Sequence, residues 1–391
     1  MILFSLSVKG LLTIIKLMFR DLKVLELASV LAGPSVGQFF AELGAEVIKV
    51  ENLRTGGDVT RSWKGAGEQT DDRSAYFCSV NWGKKSVAID LSSPEGKETV
   101  LKLASISDVV IASYKPGDAE KLGVSFQQLK TRNEQLIYGQ ITGYGSANDR
   151  VGYDAVIQAE SGFMDLNGER SGLPTKMPVA LVDVLAAHHL KEGLLIALLK
   201  RERTGEGSLV EVSLIQAAVA SLVNQASNWL VANKLPSRSG SSHPNIAPYG
   251  DSFITKDGKR ILLAIGNDRQ FFDLLKILNL DHLKLKDTFA SNQLRVDNRD
   301  HLNKILTNAI SSFECDQLLK EINRNKIPAG VIQNVMDVFE MKEAKELIVS
   351  SEGLFGVRSF VAYVGESSDQ LLPPPHFGQH TQEVLDQFLL S

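Results

Sequence analysis

A strand, a turn, a short helix and a second strand follow one another near the head of the chain, and this alternation constrains the fold most. Lys23-Val24-Leu25-Glu26-Leu27 reads as a strand, Ala32-Gly33-Pro34 as a turn, Ser35 to Leu43 as a helix, and Val47-Ile48-Lys49-Val50-Glu51 as the next strand. Two strands joined by one crossover helix lie parallel in one sheet. The pattern continues. Ser86 to Leu91 is a strand, and a helix follows to about Ser105. It opens at Ser92-Ser93-Pro94-Glu95, with Ser92 and Glu95 at capping-box spacing. Asp108 to Ala112, Gln135 to Ile141 and Leu209 to Val212 are further strands. The expected class is α/β, a Rossmann-like parallel sheet. The first turn holds Gly33 and Gly37 but no G-x-G-x-x-G, so the dinucleotide fingerprint is absent.

Farther on, Tyr153 to Phe163 and Leu214 to Asn233 read as helices. Leu235 to Pro248 is rich in Ser, Pro and Gly and reads as a linker. A hairpin around Lys256-Asp257-Gly258, then helices and a short strand at Ala329 to Gln333, make a smaller α/β unit. Leu354 to Val364 is strand-like, and Gln379 to Leu390 is a terminal helix. The expected organisation is an N-terminal extension (1–20), a large domain (21–234), a linker (235–250), a small domain (251–338) and a C-terminal part (339–391). Lysines break the apolar run of the extension well short of a membrane span, and no small-residue cleavage site follows. Met18 is a natural alternative start.

The 391 residues are 43% hydrophobic and 23% charged, with net charge −4. That balance gives no electrostatic footprint for nucleic acid or an anionic membrane. Cys78 and Cys315 lie far apart, which suits a reducing cytoplasm. His376 and His380 stand i, i+4, but Pro-rich sequence precedes them, and no metal site is expected. Cys78 sits in an apolar context and reads as core. The Lys84-Lys85 pair reads as solvated. Three carboxylates stand out: Asp90, Asp154 and Asp183. The first two sit beside strand or helix starts and read as caps. Asp183 heads a long apolar run that ends at Arg201-Glu202-Arg203-Thr204-Gly205. A helix apolar on most faces is normally buried. Free N–H groups and the helix dipole favour an ionised carboxylate at such a start. From these residues alone, Asp183 is an N-cap or a nucleophile toward an acyl group.

Several segments together resemble the family III CoA-transferases, the carnitine CoA-transferase/formyl-CoA transferase group. They run in one order over 21 to 388. The first are Val24-Leu25-Glu26-Leu27 with Leu31-Ala32-Gly33-Pro34, and Leu43-Gly44-Ala45-Glu46-Val47-Ile48-Lys49-Val50-Glu51. Gly57-Asp58-Val59-Thr60-Arg61, Asn81 with Lys84 to Leu91, and Pro116-Gly117 with Leu122-Gly123 follow. The last are Gly152-Tyr153-Asp154 with Gln158-Ala159, Arg203-Thr204-Gly205-Glu206-Gly207, and Pro375 with Gly378-Gln379-His380-Thr381. The resemblance implies that Asp183 is the nucleophile, with the N–H groups at its helix start stabilising oxyanions. It implies CoA contacts at Leu31, Ala32, Ile89, Asp90, Leu91, Ser92, Lys121, Val151, Tyr153 and Asp154. A CoA thioester is then a co-substrate with a carboxylic acid, and no cofactor is permanently bound.

It further implies a large domain completed by the C-terminal part, and an interlocked homodimer. This sequence departs from the pattern at Asn52, where some members carry a basic residue, and at Ser113 and Leu31. Ser242 to Tyr249 resembles members handling succinyl-CoA and larger dicarboxylic acids. Two alternatives remain: an acyl-CoA racemase or epimerase, and a CoA-thioester-binding protein without turnover. The racemase His position falls on Tyr153, and a phenol is a poor base near neutral pH.

Overall fold

The computed structural model describes residues 19–285, 287–362 and 371–389. Residues 1–18 of the expected extension lie outside them, as do Tyr363 and Val364 of the last expected strand and Leu390 of the terminal helix. The described residues form two units. One takes 19–161, 177–222 and the chain from Lys345 on; the other takes Gly162–Lys176 and Val223–Ala344.

The first unit is built on six strands: β1 (Lys23–Leu27), β2 (Glu46–Asn52), β3 (Lys84–Ile89), β4 (Val109–Ala112), β5 (Ile137–Thr142) and β6 (Ser208–Ser213). All pairings are parallel, in the order β3-β2-β1-β4-β5-β6. This is the doubly wound order, with its reversal between β1 and β4. Helix α1 (Ala32–Glu42) packs tightly on β1. A Cβ on Gly33 would strike the Ala28 side chain, and one on Gly37 would strike the Glu26 carboxylate. The two glycines are thus close-approach positions. Helix α2 (Pro94–Ser105) is capped by Ser93, whose hydroxyl accepts from Gly96 N–H at 2.9 Å. The expected cap, Ser92, donates its hydroxyl to Asp90 instead, at 2.6 Å.

Helix α3 spans Asp154–Glu160 and α4 spans Leu181–Thr204. In α4, Val182, Asp183, Ala186, Ala187, Leu190 and Leu194 are buried, one stripe at helical spacing. Gly193 brings it against Val210 of β6, where a Cβ would lie 2.5 Å from the valine methyl. Burial on most faces, expected from composition, is not found within the chain: Ile196 is 69% and Leu199 55% exposed. The single helix expected over 214–233 is two, α5 (Leu214–Ala220) and α6 (Val223–Leu230). The break falls where Val223 takes a φ of 43°.

The C-terminal segment straps the β3 edge of this sheet. Arg61 donates to the Pro375 carbonyl at 3.1 Å and Arg73 to that of Pro374 at 3.3 Å. Gly378 N–H donates to the Ser86 hydroxyl at 2.9 Å, and the helix Thr381–Leu389 follows. The second unit has a three-stranded antiparallel sheet, β7 (Tyr249–Ile254), β8 (Arg260–Ala264) and β9 (Ala329–Val331). Its core joins Ile261 and Leu263 to Phe271, Leu274, Leu302, Leu306, Leu318 and Ile322. No helix among the described residues is long and apolar enough to cross a membrane.

Candidate active site

Ligands of doubly wound sheets bind beyond the carboxyl ends of the strands, where the strand order reverses. The carboxyl end of β1 leads to Ser29 and that of β4 to Ser113 and Tyr114, and Ser29 N–H donates to the Ser113 hydroxyl at 3.3 Å. Two cavities share these three residues. The smaller, about 210 Å³, is lined by Leu31, Ala32, Val151, Tyr153, Asp154 and Asp183 among others. The larger, about 520 Å³, opens over β2 and β3 and is lined by Lys49, Asp58, Arg54, Asp90, Leu91 and Ser92 among others.

Asp183 lies in the first turn of α4 and is 7% exposed. It is not the helix cap. That role belongs to Asp154, at the start of α3, whose Oδ1 accepts from Val182 N–H at 2.8 Å and Asp183 N–H at 3.4 Å. Gln158, one turn along α3, donates to Asp154 Oδ2 at 2.7 Å and accepts from Met177 N–H at 2.8 Å. It thereby ties the loop before α4 to α3. No described residue donates a hydrogen bond to the Asp183 carboxyl. Burial, then the charge of Asp154, raises its pKa from 3.8 to about 7. The ionised state expected from the helix start is thus disfavoured. The two N–H groups expected to stabilise oxyanions already serve Asp154.

Beneath the larger cavity lies a set of fully compensated charges. Lys49 bonds Glu26 at 2.8 Å and Asp58 at 3.0 Å; Lys84 bonds Glu26 at 2.8 Å. Glu26, Lys49 and Lys84 are 0% exposed. Glu51 joins through Arg61 at 2.6 Å and the Ser86 hydroxyl. Burial pushes the Asp58 and Glu51 carboxyls up, but Lys49 and Arg61 outweigh it and hold both below the usual range. Lys84, expected to be solvated, is instead buried, which lowers its ammonium to about 8 against the pull of Glu26. Asp58 also accepts from the N–H of Val30, held at a φ of 72° on the edge of the Asp183 cavity. Such a backbone is strained for a β-branched residue.

The model of CoA-transferase family III matches residues 19–381. The chain belongs to CoA-transferase family III. It is 35% identical over 378 residues to the succinate–glutarate CoA-transferase of Agrobacterium fabrum, covering 93% of this chain and 94% of that one. It is 36% identical to the succinyl-CoA:glutarate CoA-transferase of Mus musculus, over 95% of this chain and 86% of that one. A solved CaiB/BaiF family protein from Brucella suis superposes with a TM-score of 0.85 at 36% identity, covering 95% of this chain and 99% of that one. The protein is a CoA-transferase, with a CoA thioester as co-substrate.

The expected CoA contacts of this CoA-transferase fall into three sets. Leu31, Ala32, Val151, Tyr153 and Asp154 gather around Asp183. Asp90, Leu91 and Ser92 line the larger cavity. Ile89 is buried at the end of β3, and Lys121 pairs with Asp118 at 3.0 Å on the exposed surface; neither lines either of these two cavities. Sequence reasoning missed Arg54 and Gln158. Arg54 stands in a loop where charge alone gives no signal, and the Gln158-Ala159 motif carries no sign of the contacts its amide makes. His376 meets Asp72, not His380, and the Asp71 and Asp72 carboxylates beside it are held by Arg73 and Arg61.

Proposed function

We propose that this CoA-transferase moves CoA from succinyl-CoA to a second carboxylic acid through covalent intermediates on Asp183. The observation that carries the reading is a buried carboxyl without a hydrogen-bond donor, in a cavity joined to a larger one at the sheet's switch point. An Asp183 oxygen attacks the thioester carbonyl, the C–S bond breaks, and CoA thiolate leaves an acyl-aspartyl anhydride. The thiolate then attacks the Asp183 carbonyl, releasing the donor acid and leaving an aspartyl-CoA thioester. The acceptor carboxylate displaces CoA to form a second anhydride. Thiolate attack on the acceptor's acyl carbon gives the new thioester and returns the Asp183 carboxylate. A dry, enclosed site protects the anhydrides from water.

The oxyanions of these steps need donors other than the N–H groups held by Asp154. Helix α1 starts with no side-chain cap, and Leu31 and Ala32 line the cavity, so its terminal N–H groups are assigned this role. Lys115 also lines the cavity, and no carboxylate among the described residues pairs with it. Its charge suits the second carboxylate of a dicarboxylic acid, in line with relatives named for succinate and glutarate. No histidine lines the cavity, which favours transfer over α-proton exchange.

We assign the active form to a homodimer. The exposed Leu195, Ile196 and Leu199 on α4, and Trp229, Leu230 and Val231 in the second unit, offer apolar surface for a second copy. The cytoplasm is assigned from the two free, buried thiols. The test of transfer is incubation with succinyl-CoA and a panel of acids. Acceptor labelled with ¹⁸O should pass one label to Asp183 and on to the released succinate. The first turnover releases unlabelled succinate, so the readout is taken over many turnovers, and succinate still free of label then would sink the covalent route.

A further inference from the structure

We propose that Asp58 is a positioning residue for transfer, holding the strained turn between β1 and α1 in the shape that aims the first N–H groups of α1 at the thioester oxygen. The inference rests on the transferase reading above and deepens it at the oxyanion.

The turn is tight. β1 ends at Leu27 and α1 begins at Ala32, and over that span the chain folds back on itself: a Cβ on Gly33 would lie 2.4 Å from the Ala28 Cβ. The reversal puts Val30 at a φ of 72°. A β-branched side chain opposes that backbone, so the turn relaxes unless something holds it. The donors beyond it are few. Pro34 has no N–H, and the Ser35 N–H is taken by the Leu31 carbonyl at 2.8 Å. That leaves the N–H groups of Ala32 and Gly33 at the start of α1, within three residues of Val30. Their direction follows the backbone at Val30.

Three contacts reach the turn. Lys49 donates to the Ala28 carbonyl at 2.8 Å, and Ser29 N–H donates to the Ser113 hydroxyl at 3.3 Å. Val30 N–H donates to the Asp58 carboxylate, 3.3 Å from each oxygen. The last of these acts on the strained residue itself. Asp58 is fixed for it. The residue is 4% exposed, and its Oδ1 accepts from the Thr60 N–H at 3.1 Å and hydroxyl at 2.8 Å. Its Oδ2 pairs with Lys49 at 3.0 Å, and its own N–H donates to Glu51 at 2.8 Å. Lys49 answers the charge of Asp58. The bond to Val30 is a separate service, and it is made on the wall of the Asp183 cavity.

The test is a double-mutant cycle of D58N and V30G on the full chain, read by transfer kinetics and hydrogen exchange. Glycine takes a φ of 72° without strain, so V30G removes the force that the clamp opposes. With Val30 in place, D58N should lower kcat about tenfold or more, the loss of one charge-assisted hydrogen bond, and leave KM for the CoA thioester within about twofold. In V30G the same substitution should lower kcat no more than about twofold. T60V keeps the Lys49 pair and loosens the Asp58 carboxylate. It should show the same pattern in milder form, about threefold against none. An Asp58 that served stability alone would cost the same in both backgrounds. Equal losses of kcat, or a loss carried by KM, would overturn the proposal. Exchange of the Val30 amide, followed without substrate, reads the clamp apart from transfer. A protected amide that D58N releases, in a protein without transfer, supports the clamp while overturning the transferase reading. Transfer by a wild type whose Val30 amide exchanges freely overturns the clamp alone.

Discussion

Two clusters of buried carboxylates in the same unit met opposite fates. Glu26, Glu51 and Asp58 are interleaved with Lys49, Lys84 and Arg61, and every charge has an opposite neighbour. The charge beside Asp183 is that of another carboxylate, Asp154. Burial presses equally on both sets. In the first, ion pairs win, and Asp58 and Glu51 are held low. In the second nothing offsets burial, and Asp183 rises to about 7. A buried charge that the fold compensates is structure; one it leaves uncompensated is held for a reaction.

The sharpest way to break this contrast is Asp183→Ala. Transfer should fall by about 10³-fold or more, with the fold as stable as wild type or slightly more so, read by coupled assay and urea midpoint. Loss of folding in that variant would erase the distinction. Lys49→Met should do the reverse. Asp58 would be left without an ion pair among the described residues, and Glu26 would keep only Lys84, at a cost of about 3–5 kcal/mol in denaturant unfolding. A smaller loss, about 1–3 kcal/mol, is expected for Gly37→Ala, whose methyl group meets the Glu26 carboxylate.

The pH response separates the clusters further. Asp183 attacks only when ionised, so turnover should decline as pH falls through about 7. Asp58 and Glu51, with pKa values lowered by folding, stabilise the native state above their unfolded values. They lose that contribution only as pH falls through their still lower folded values. Between pH 7 and about 5, activity should therefore drop while the unfolding midpoint rises, because Asp183, its pKa raised by folding, takes up a proton in the native state before the unfolded chain does. The mildest variant is Asp154→Asn. It keeps an acceptor for the α4 N–H groups but removes the charge, so the acid limb of the rate profile should move to lower pH. A limb that stays put would assign the shift to burial alone.

Much of the frame was legible from residues. β4, Val109-Val110-Ile111-Ala112, is an unbroken apolar run because both faces of a parallel sheet are covered. Crossover helices fall where the alternation puts them. What stayed illegible depends on partners distant in sequence. Asp154 as the cap of α4, from 28 residues away, has no local signature. Neither has the burial of Lys84, which needs Glu26 from another strand. The cap of α2 moved from Ser92 to Ser93 because Asp90 competes for the Ser92 hydroxyl. The exposed face of α4 is apolar enough to predict burial, since apolar residues cannot say whether their cover is the same chain.

The C-terminal strap sets an order of events during synthesis. Arg61 finds the Pro375 carbonyl 314 residues later, and Ser86 waits for Gly378. Glu51 and Arg61 can pair as soon as the first strands leave the ribosome, but the β3 edge stays bare until nearly the whole chain has emerged. For most of translation the CoA-binding sheet therefore has an uncovered strand edge. That edge is where a nascent chain of this kind needs protection from its neighbours on the same message.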